Sequence, residues 1–180
     1  MSEDLDHWKH ALEAQRRQKD WYFKNAPDSP IPAEARSGFS ALQYFAPDPA
    51  YRIAVRLTPV TGAEPFTMAV SQGSPRAMIK KGYFDFEIDG KKYRLFAYGP
   101  AHATSHDSLF VPFRDGTSGK ETYGAGRYLD LEFNPGGEYL LDFNLAYNPY
   151  CAYSENYSCP LPPAENWLKV PIRAGERSFH

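Results

Sequence analysis

The segment 113–127 concentrates charged and hydrogen-bonding side chains around a glycine-rich loop. Arg114 and Asp115 enter the loop, and Glu121 and Arg127 leave it. A guanidinium group binds carboxylates and phosphates through paired hydrogen bonds, and a nearby carboxylate can orient it or accept a proton. The pattern therefore predicts that the two arginines bind an anionic group while Asp115 or Glu121 serves as orienting partner or general base.

The same four charges also permit a structural interpretation. Two guanidinium groups and two carboxylates that converge between strands can form a partly buried ion network that holds the loop closed. The glycines of the loop fit either reading, because they allow positive φ or close backbone approach. A nucleotide-binding P-loop is disfavoured, because Glu121 stands after Lys120 where Ser or Thr is required.

A second polar cluster follows at 142–148. Side chains alternate along a strand, so Asp142 and Asn144 are predicted to share one face, and Tyr147 and Asn148 follow beyond the strand end. We expect a ligand pocket between the 113–127 loop and the 139–148 strand. The predicted catalytic residues are Asp115, Glu121 and Tyr123, and the predicted ligand-binding residues are Arg114, Thr117, Arg127, Asp142, Asn144, Tyr147 and Asn148.

The histidines and cysteines, which are common metal ligands in proteins, do not occur at the spacing of a known metal site in this sequence. His102 and His106 lie four apart in a predicted loop, and spacing fixes no third ligand, so no metal site is predicted. Cys151 and Cys159 are predicted to be buried thiols that fix the 147–166 loop, while a disulfide or a zinc site stays an alternative. The sequence identifies no cofactor.

One helix and a series of short strands are predicted to position these residues. Helical spacing of Leu5, Trp8 and Leu12 predicts a helix over 4–24, whose charges at 16–19 form a solvated face. We divide the chain into a helical arm, 1–26, and a single β domain, 27–180. Strands are predicted at 51–57, 66–71, 78–88, 91–98, 109–113, 128–133, 139–143 and 167–172.

The fold class that follows is mainly β: an antiparallel sandwich or partly closed barrel with one N-terminal helix. Aromatic residues make up 16% of the chain, which favours strands, and Asp89-Gly90 between two alternating runs predicts a tight hairpin. Acidic and basic residues nearly balance, 22 against 20, so neither nucleic acid nor a membrane is expected as partner. Without a leader-like N-terminus the expected location is cytoplasmic. The oligomeric state is left open.

Three motifs resemble the domain-of-unknown-function family numbered 1684, in its shorter branch. They are Phe113-Arg-Asp-Gly-Thr-Ser-Gly-Lys-Glu-Thr-Tyr-Gly-Ala-Gly-Arg-Tyr-Leu, Leu141-Asp-Phe-Asn-Leu-Ala-Tyr-Asn-Pro-Tyr-Cys-Ala-Tyr, and Cys159-Pro-Leu-Pro-Pro-Ala-Glu-Asn-Trp-Leu followed by Ile172-Arg-Ala-Gly-Glu. The resemblance implies no particular activity. It implies signature positions that include all the site residues named above, together with Gly119, Thr122, Gly124, Gly126, Cys151, Cys159, Glu165 and Asn166.

Two functions are therefore carried forward. The first is binding of a small anionic or polar ligand, with or without catalysis, in the pocket between the 113–127 loop and the 139–148 strand. The second is a structural or protein-interaction module whose polar cluster is an internal ion network.

Overall fold

A computed structural model describes residues 2–101 and 108–180, except for the side chain of Ala63. The chain begins with the helix α1, Ser2–Asn25, which matches the predicted helix. Its buried side chains are Leu12 and Phe23, and the ring of Trp8 lies under the Arg52 guanidinium at 4.7 Å. No helix in the described ranges has the length and apolar character needed to cross a membrane.

The described chain forms one antiparallel sheet of six strands, ordered β5-β4-β3-β2-β1-β6 and curled into a half-barrel. The mainly β prediction with one N-terminal helix is confirmed, and the sheet matches the partly closed barrel rather than the sandwich. The strands are β1 Arg52–Met68, β2 Arg76–Ile88, β3 Lys91–Pro100, β4 Leu109–Phe113, β5 Arg127–Leu131 and β6 Glu138–Asp142.

The Asp89-Gly90 hairpin is confirmed. Ile88 pairs with Lys91, and both turn residues have positive φ, 50° for Asp89 and 78° for Gly90. That backbone is the one a two-residue primed turn requires, because its twist matches the right-handed twist of the strands. The hairpin aligns β2 and β3 over almost their whole length.

Two predicted strands are wrong as separate elements. The run 66–71 is not a new strand, since β1 continues to Met68 after a register shift between Pro59 and Glu64. The run 167–172 forms no strand and shares only an isolated bridge, between Trp167 and Arg114, among the described residues. Pro171 has no N–H to donate to a ladder, which disfavours regular pairing there.

The main core lies between one face of the curled sheet and the C-terminal segment. Phe84, Leu95, Val111 and Leu141 contribute from the strands, and Ile172 from the segment, all with no solvent exposure. A second cluster joins α1, the 31–42 loop and the 152–153 turn. The C-terminal segment therefore fills the role of an inner layer although it is not a strand.

Candidate functional site

Asp115 lies at the start of the β4–β5 loop and is almost fully enclosed. Its carboxylate accepts hydrogen bonds from the Thr117 hydroxyl at 2.8 Å and from the Ile172 N–H at 2.7 Å. The Thr117 hydroxyl also contacts the Thr122 hydroxyl at 2.9 Å, which connects two positions inside the loop. Asp115 and Thr117 thus organise the loop from inside the protein.

Arg127 begins β5, and its side chain has no solvent exposure. Its guanidinium donates to the carbonyls of Ile172, Ala174 and Glu176, and its Nη2 lies 3.5 Å from the Asp115 carboxylate. Strong charge-assisted bonds are about 2.7–2.9 Å long, so the carbonyls of Ile172 and Ala174 are its principal partners, and the carboxylate of Asp115 is a weaker one. Burial lowers the pKa of Arg127, and Asp115 opposes that change.

The predicted convergence of two arginines and two carboxylates is wrong. The Arg114 guanidinium stacks on the half-exposed ring of Trp167 at 4.6 Å. Glu121 instead forms an ion pair with Arg173 at 2.9 Å. Of the four charged residues, the structure brings together Arg127 and Asp115. For these two residues the geometry supports the structural interpretation, an internal ion network.

The strand-face prediction for Asp142 and Asn144 is also wrong. Asp142 ends β6, and its carboxylate accepts the Asn144 N–H at 3.0 Å at the start of a 3₁₀ turn. The Asn144 amide exchanges two hydrogen bonds with the backbone of Asp48, at 2.8 and 2.9 Å. An aspartate that caps a short turn explains this arrangement locally.

Asn148 belongs to a polar centre that the sequence did not identify as a site, built around Glu176. The Glu176 carboxylate is 2% exposed and accepts hydrogen bonds from Lys19, Tyr153 and the Asn148 N–H. The third motif contains Glu176, but its partners lie up to 157 residues away along the chain. The local sequence offered no distinct signal, because Glu176 stands between Arg173 and Arg177 in a segment of mixed polarity.

Tyr147 lines an open recess that lies on the far side of β5 from the main core. Its backbone pairs with that of Tyr128, which attaches the 147–160 segment to the edge strand of the sheet. The recess has a volume of about 500 Å³. Four tyrosines contribute to its walls, and we call it the tyrosine groove: Tyr128, Tyr147, Tyr150 and Tyr157.

The rings of the tyrosine groove pack edge to face. Phe110 and Tyr128 have centroids 4.8 Å apart, Tyr128 and Tyr147 5.7 Å, and Tyr150 and Tyr157 5.3 Å. Edge-to-face packing is one of the preferred geometries of aromatic pairs. These ring pairs fix the orientation of the aromatic side chains relative to one another.

Two charged side chains lie on the same walls. Asp130 accepts a hydrogen bond from the Tyr147 hydroxyl, and Arg76 donates to the Ser158 carbonyl at 3.3 Å. Burial raises the pKa of Tyr147, and the bond to Asp130 raises it further, so the hydroxyl stays a donor at neutral pH. The groove thus combines an aromatic body with one cation and one anion.

Cys151 and Cys159 are both free thiols in the structure, and Cys159 is the more buried. The Tyr123 hydroxyl donates to the Cys151 sulfur at 3.6 Å. Burial raises the pKa of the Cys159 thiol to about 11 and that of Tyr123 to about 12. Tyr123 therefore serves the packing around Cys151 and is separate from Asp115 and Glu121.

The structure describes only some of the residues that were considered as metal ligands. His102 and His106 lie outside the described residues. Within 2–101 and 108–180, no three His, Cys, Asp or Glu side chains are grouped so that they could hold a metal ion.

Comparison with known proteins gives a family and a fold relative. The solution NMR structure of an uncharacterized protein from Haloarcula marismortui is similar, with 42% sequence identity and a TM-score of 0.73. The match covers 98% of this chain and 97% of that one. No curated protein matches the chain. The model of the family described as "Protein of unknown function (DUF1684)" matches residues 37–177, from the first 3₁₀ turn to the residue after Glu176. The chain therefore belongs to the DUF1684 family.

Proposed function

We propose that the protein binds a small organic molecule in the tyrosine groove, and that this molecule has an apolar or aromatic body and an anionic end. The observation that carries the proposal is the groove itself. Its volume of about 500 Å³ lies within the range of roughly 300–1,000 Å³ that is typical of small-molecule sites. Its walls are mainly aromatic and apolar side chains with few charged groups, as is usual for such sites.

The polar groups determine the expected ligand chemistry. Arg76 is exposed, and one of its terminal nitrogens is engaged with Ser158, which supports a role in binding a carboxylate or phosphate. Asp130 can accept an N–H or O–H of the ligand beside the Tyr147 hydroxyl. A flat body would rest on the tyrosine rings, where aromatic contacts contribute about 0.5–1.5 kcal/mol each.

The proposed ligand site differs in position from the pocket that was predicted between the 113–127 loop and the 139–148 strand. Of the predicted ligand-binding residues, Tyr147 lines the groove, whereas Arg127 and Thr117 are buried in the loop network. The predicted catalytic residues are not among the side chains that form the groove walls. Binding is therefore the function that we propose, and the loop network supports the alternative of a structural role for that part of the chain.

The test is a titration of ¹⁵N-labelled protein with aromatic carboxylates, their neutral amides and aliphatic carboxylates of similar size. We expect aromatic carboxylates to shift the amide signals of Phe110, Tyr128 and Tyr147. Arg76→Gln should weaken carboxylate binding about fivefold and leave amide binding unchanged, because it removes one partly solvated charged contact of about 1 kcal/mol.

The matched control is Arg94→Gln, which removes a surface guanidinium that stacks on Tyr83 outside the groove. It should not change the affinity of any probe. The proposal fails if no aromatic carboxylate shifts groove signals, or if Arg76→Gln and Arg94→Gln affect binding equally.

A further inference from the structure

The two cysteines lie side by side in the segment that forms one wall of the tyrosine groove. The Cys151 side chain is a hydrogen-bond partner of the Cys159 thiol, and the N–H groups of Tyr150 and Cys151 are further partners of that sulfur. The rings of Tyr150 and Tyr157 pack with their centroids 5.3 Å apart, so the chain between the two cysteines is closed into a loop. The fold thus holds two free thiols together.

The two thiols differ in their access to solvent. Cys151 is half-buried, whereas Cys159 is 7% exposed. A protein disulfide forms in two exchange steps, in which a first thiolate attacks an external disulfide and a second one attacks the mixed disulfide that results. Access decides which sulfur reacts first. Cys151 is therefore the thiol that an external disulfide reaches, and Cys159 is placed to attack the mixed disulfide.

The surroundings of the pair favour an S–S bond in two ways. Burial raises the pKa of the Cys159 thiol, so this residue gains no stability as a thiolate at neutral pH, and it is a stabilised thiolate that makes a disulfide easy to reduce. The chain between the cysteines is exposed at Glu155, Asn156 and Ser158. An exposed loop can adjust its backbone to the geometry that a disulfide requires.

We infer that Cys151 and Cys159 form a reversible disulfide by exchange with a low-molecular-weight disulfide such as oxidised glutathione. The Cys151 thiolate attacks one sulfur of the oxidant, which forms a mixed disulfide and releases one thiol. Cys159 then gives its proton to solvent and attacks the Cys151 sulfur, which forms the internal S–S bond and releases a second thiol. The two protein thiols lose two electrons and two protons, and the oxidant is reduced to two thiols.

This modification site goes beyond the proposed function, because the exchange needs no ligand in the tyrosine groove. The bond joins the two ends of the 151–159 loop. Oxidation therefore constrains the wall of the groove to which Tyr150 and Tyr157 belong.

The first test equilibrates the native protein with mixtures of oxidised and reduced glutathione, and then quenches it in denaturant that contains N-ethylmaleimide for mass spectrometry. In reduced glutathione alone, the wild type should gain two maleimide groups. With oxidised glutathione in excess, it should gain none and lose two hydrogens. Because the fold holds the sulfurs together, the native protein should need an oxidised glutathione concentration about tenfold lower than the urea-unfolded chain does, at a fixed concentration of reduced glutathione.

Three outcomes of this measurement would overturn the inference. The first is two free thiols in the native protein under conditions that oxidise the unfolded chain. The second is a glutathione that stays bound to the wild type, and the third is a bridge between two chains. None of them depends on ligand binding or on a variant that folds.

Serine variants test the order of the two steps. Cys159→Ser lacks the second thiol and should accumulate one bound glutathione on Cys151. Cys151→Ser keeps only the buried sulfur and should react with oxidised glutathione about tenfold more slowly. Equal rates in the two variants would refute the assignment of Cys151 as the first thiol.

Amide signals show whether the bond forms in the folded protein. On oxidation of the wild type, the signals of Tyr150 and Tyr157 should shift, and that of Leu95 in the main core should not. Changes throughout the core would show that the bond requires unfolding, and would overturn the inference.

Discussion

Replacing Arg127 by lysine separates a structural from a ligand-binding role for this residue. Lysine keeps the charge but has a single nitrogen, so it cannot reach the carbonyls of Ile172, Ala174 and Glu176 together. At least two of these buried acceptors would lose their donor, at about 1–3 kcal/mol each. We therefore expect a loss of about 3–5 kcal/mol, which is similar in size to the cost of removing one partner of a buried ion pair.

The expected loss is large enough to measure by two methods. For a chain of this length, 1 kcal/mol corresponds to about 2–4 °C, so the melting temperature of Arg127→Lys should fall by about 6–20 °C. Urea unfolding should show the same loss of unfolding free energy in a lower midpoint at an unchanged slope. The matched control is Arg114→Lys, which weakens an exposed stacking contact of about 0.5–1 kcal/mol on Trp167.

One pattern of results would refute this reasoning. If Arg127→Lys is no less stable than Arg114→Lys, the carbonyl contacts of Arg127 do not hold the C-terminal segment. If it also loses affinity for an anionic ligand that the wild type binds, the role predicted from sequence, recognition of an anionic group, would be restored.

Three further predictions concern the loop, the thiols and the helix. Gly126→Ala should lower the unfolding free energy by about 1–3 kcal/mol, because φ is +105° and a Cβ would lie 2.5 Å from the Phe113 carbonyl oxygen. The control Gly38→Ala has open space around the new Cβ and should change the unfolding free energy by less than about 0.5 kcal/mol. Similar losses in the two variants, measured by urea unfolding, would contradict this prediction. Because the pKa of the Cys159 thiol is raised in the folded protein, the thiol's contribution to stability is complete below pH 9 and is lost between pH 9 and about 11. The urea midpoint of the wild type should therefore fall over that pH range, and Cys159→Ala should make the fall smaller. An unchanged fall in Cys159→Ala would show that ionisation of Cys159 does not cause it. Lys19→Met should lower the unfolding free energy by about 1–3 kcal/mol and speed amide hydrogen exchange in α1, because it leaves the enclosed Glu176 carboxylate without its cation. In a double-mutant cycle with Glu176→Gln, the coupling energy should account for most of that loss. A coupling energy of zero would show that the Lys19–Glu176 pair does not anchor the helix.

The features that could be predicted from the sequence are those that depend on neighbouring residues. The Asp89-Gly90 hairpin needs only two residues that tolerate positive φ between alternating strands, and α1 needs only helical spacing of apolar residues. The strand β4 was also predicted at its observed limits, since its apolar run ends at the charged Arg114. In each case the local preference agrees with the tertiary structure.

The features that were missed depend on partners far along the chain. The run 167–172 has the composition of a strand, but the carbonyl of Ile172 accepts from the Arg127 side chain, 45 residues earlier, instead of from a neighbouring strand. Arg16 was predicted on a solvated face, yet it bonds to the backbone of Asn144, 128 residues later. Periodicity within α1 carries no information about such a partner, because the docking surface is built by other segments.

Two different roles can be distinguished among the polar residues of the three motifs. Asp115 and Arg127 face inward and bond to the backbone of Ile172 in the C-terminal segment, and the Thr117 hydroxyl bonds to the Asp115 carboxylate. Tyr147 faces the tyrosine groove, yet its backbone is positioned by pairing with Tyr128, the residue directly after Arg127. The buried arginine therefore fixes β5 at the point where the tyrosine groove begins, so the loop network and the groove belong to one structure.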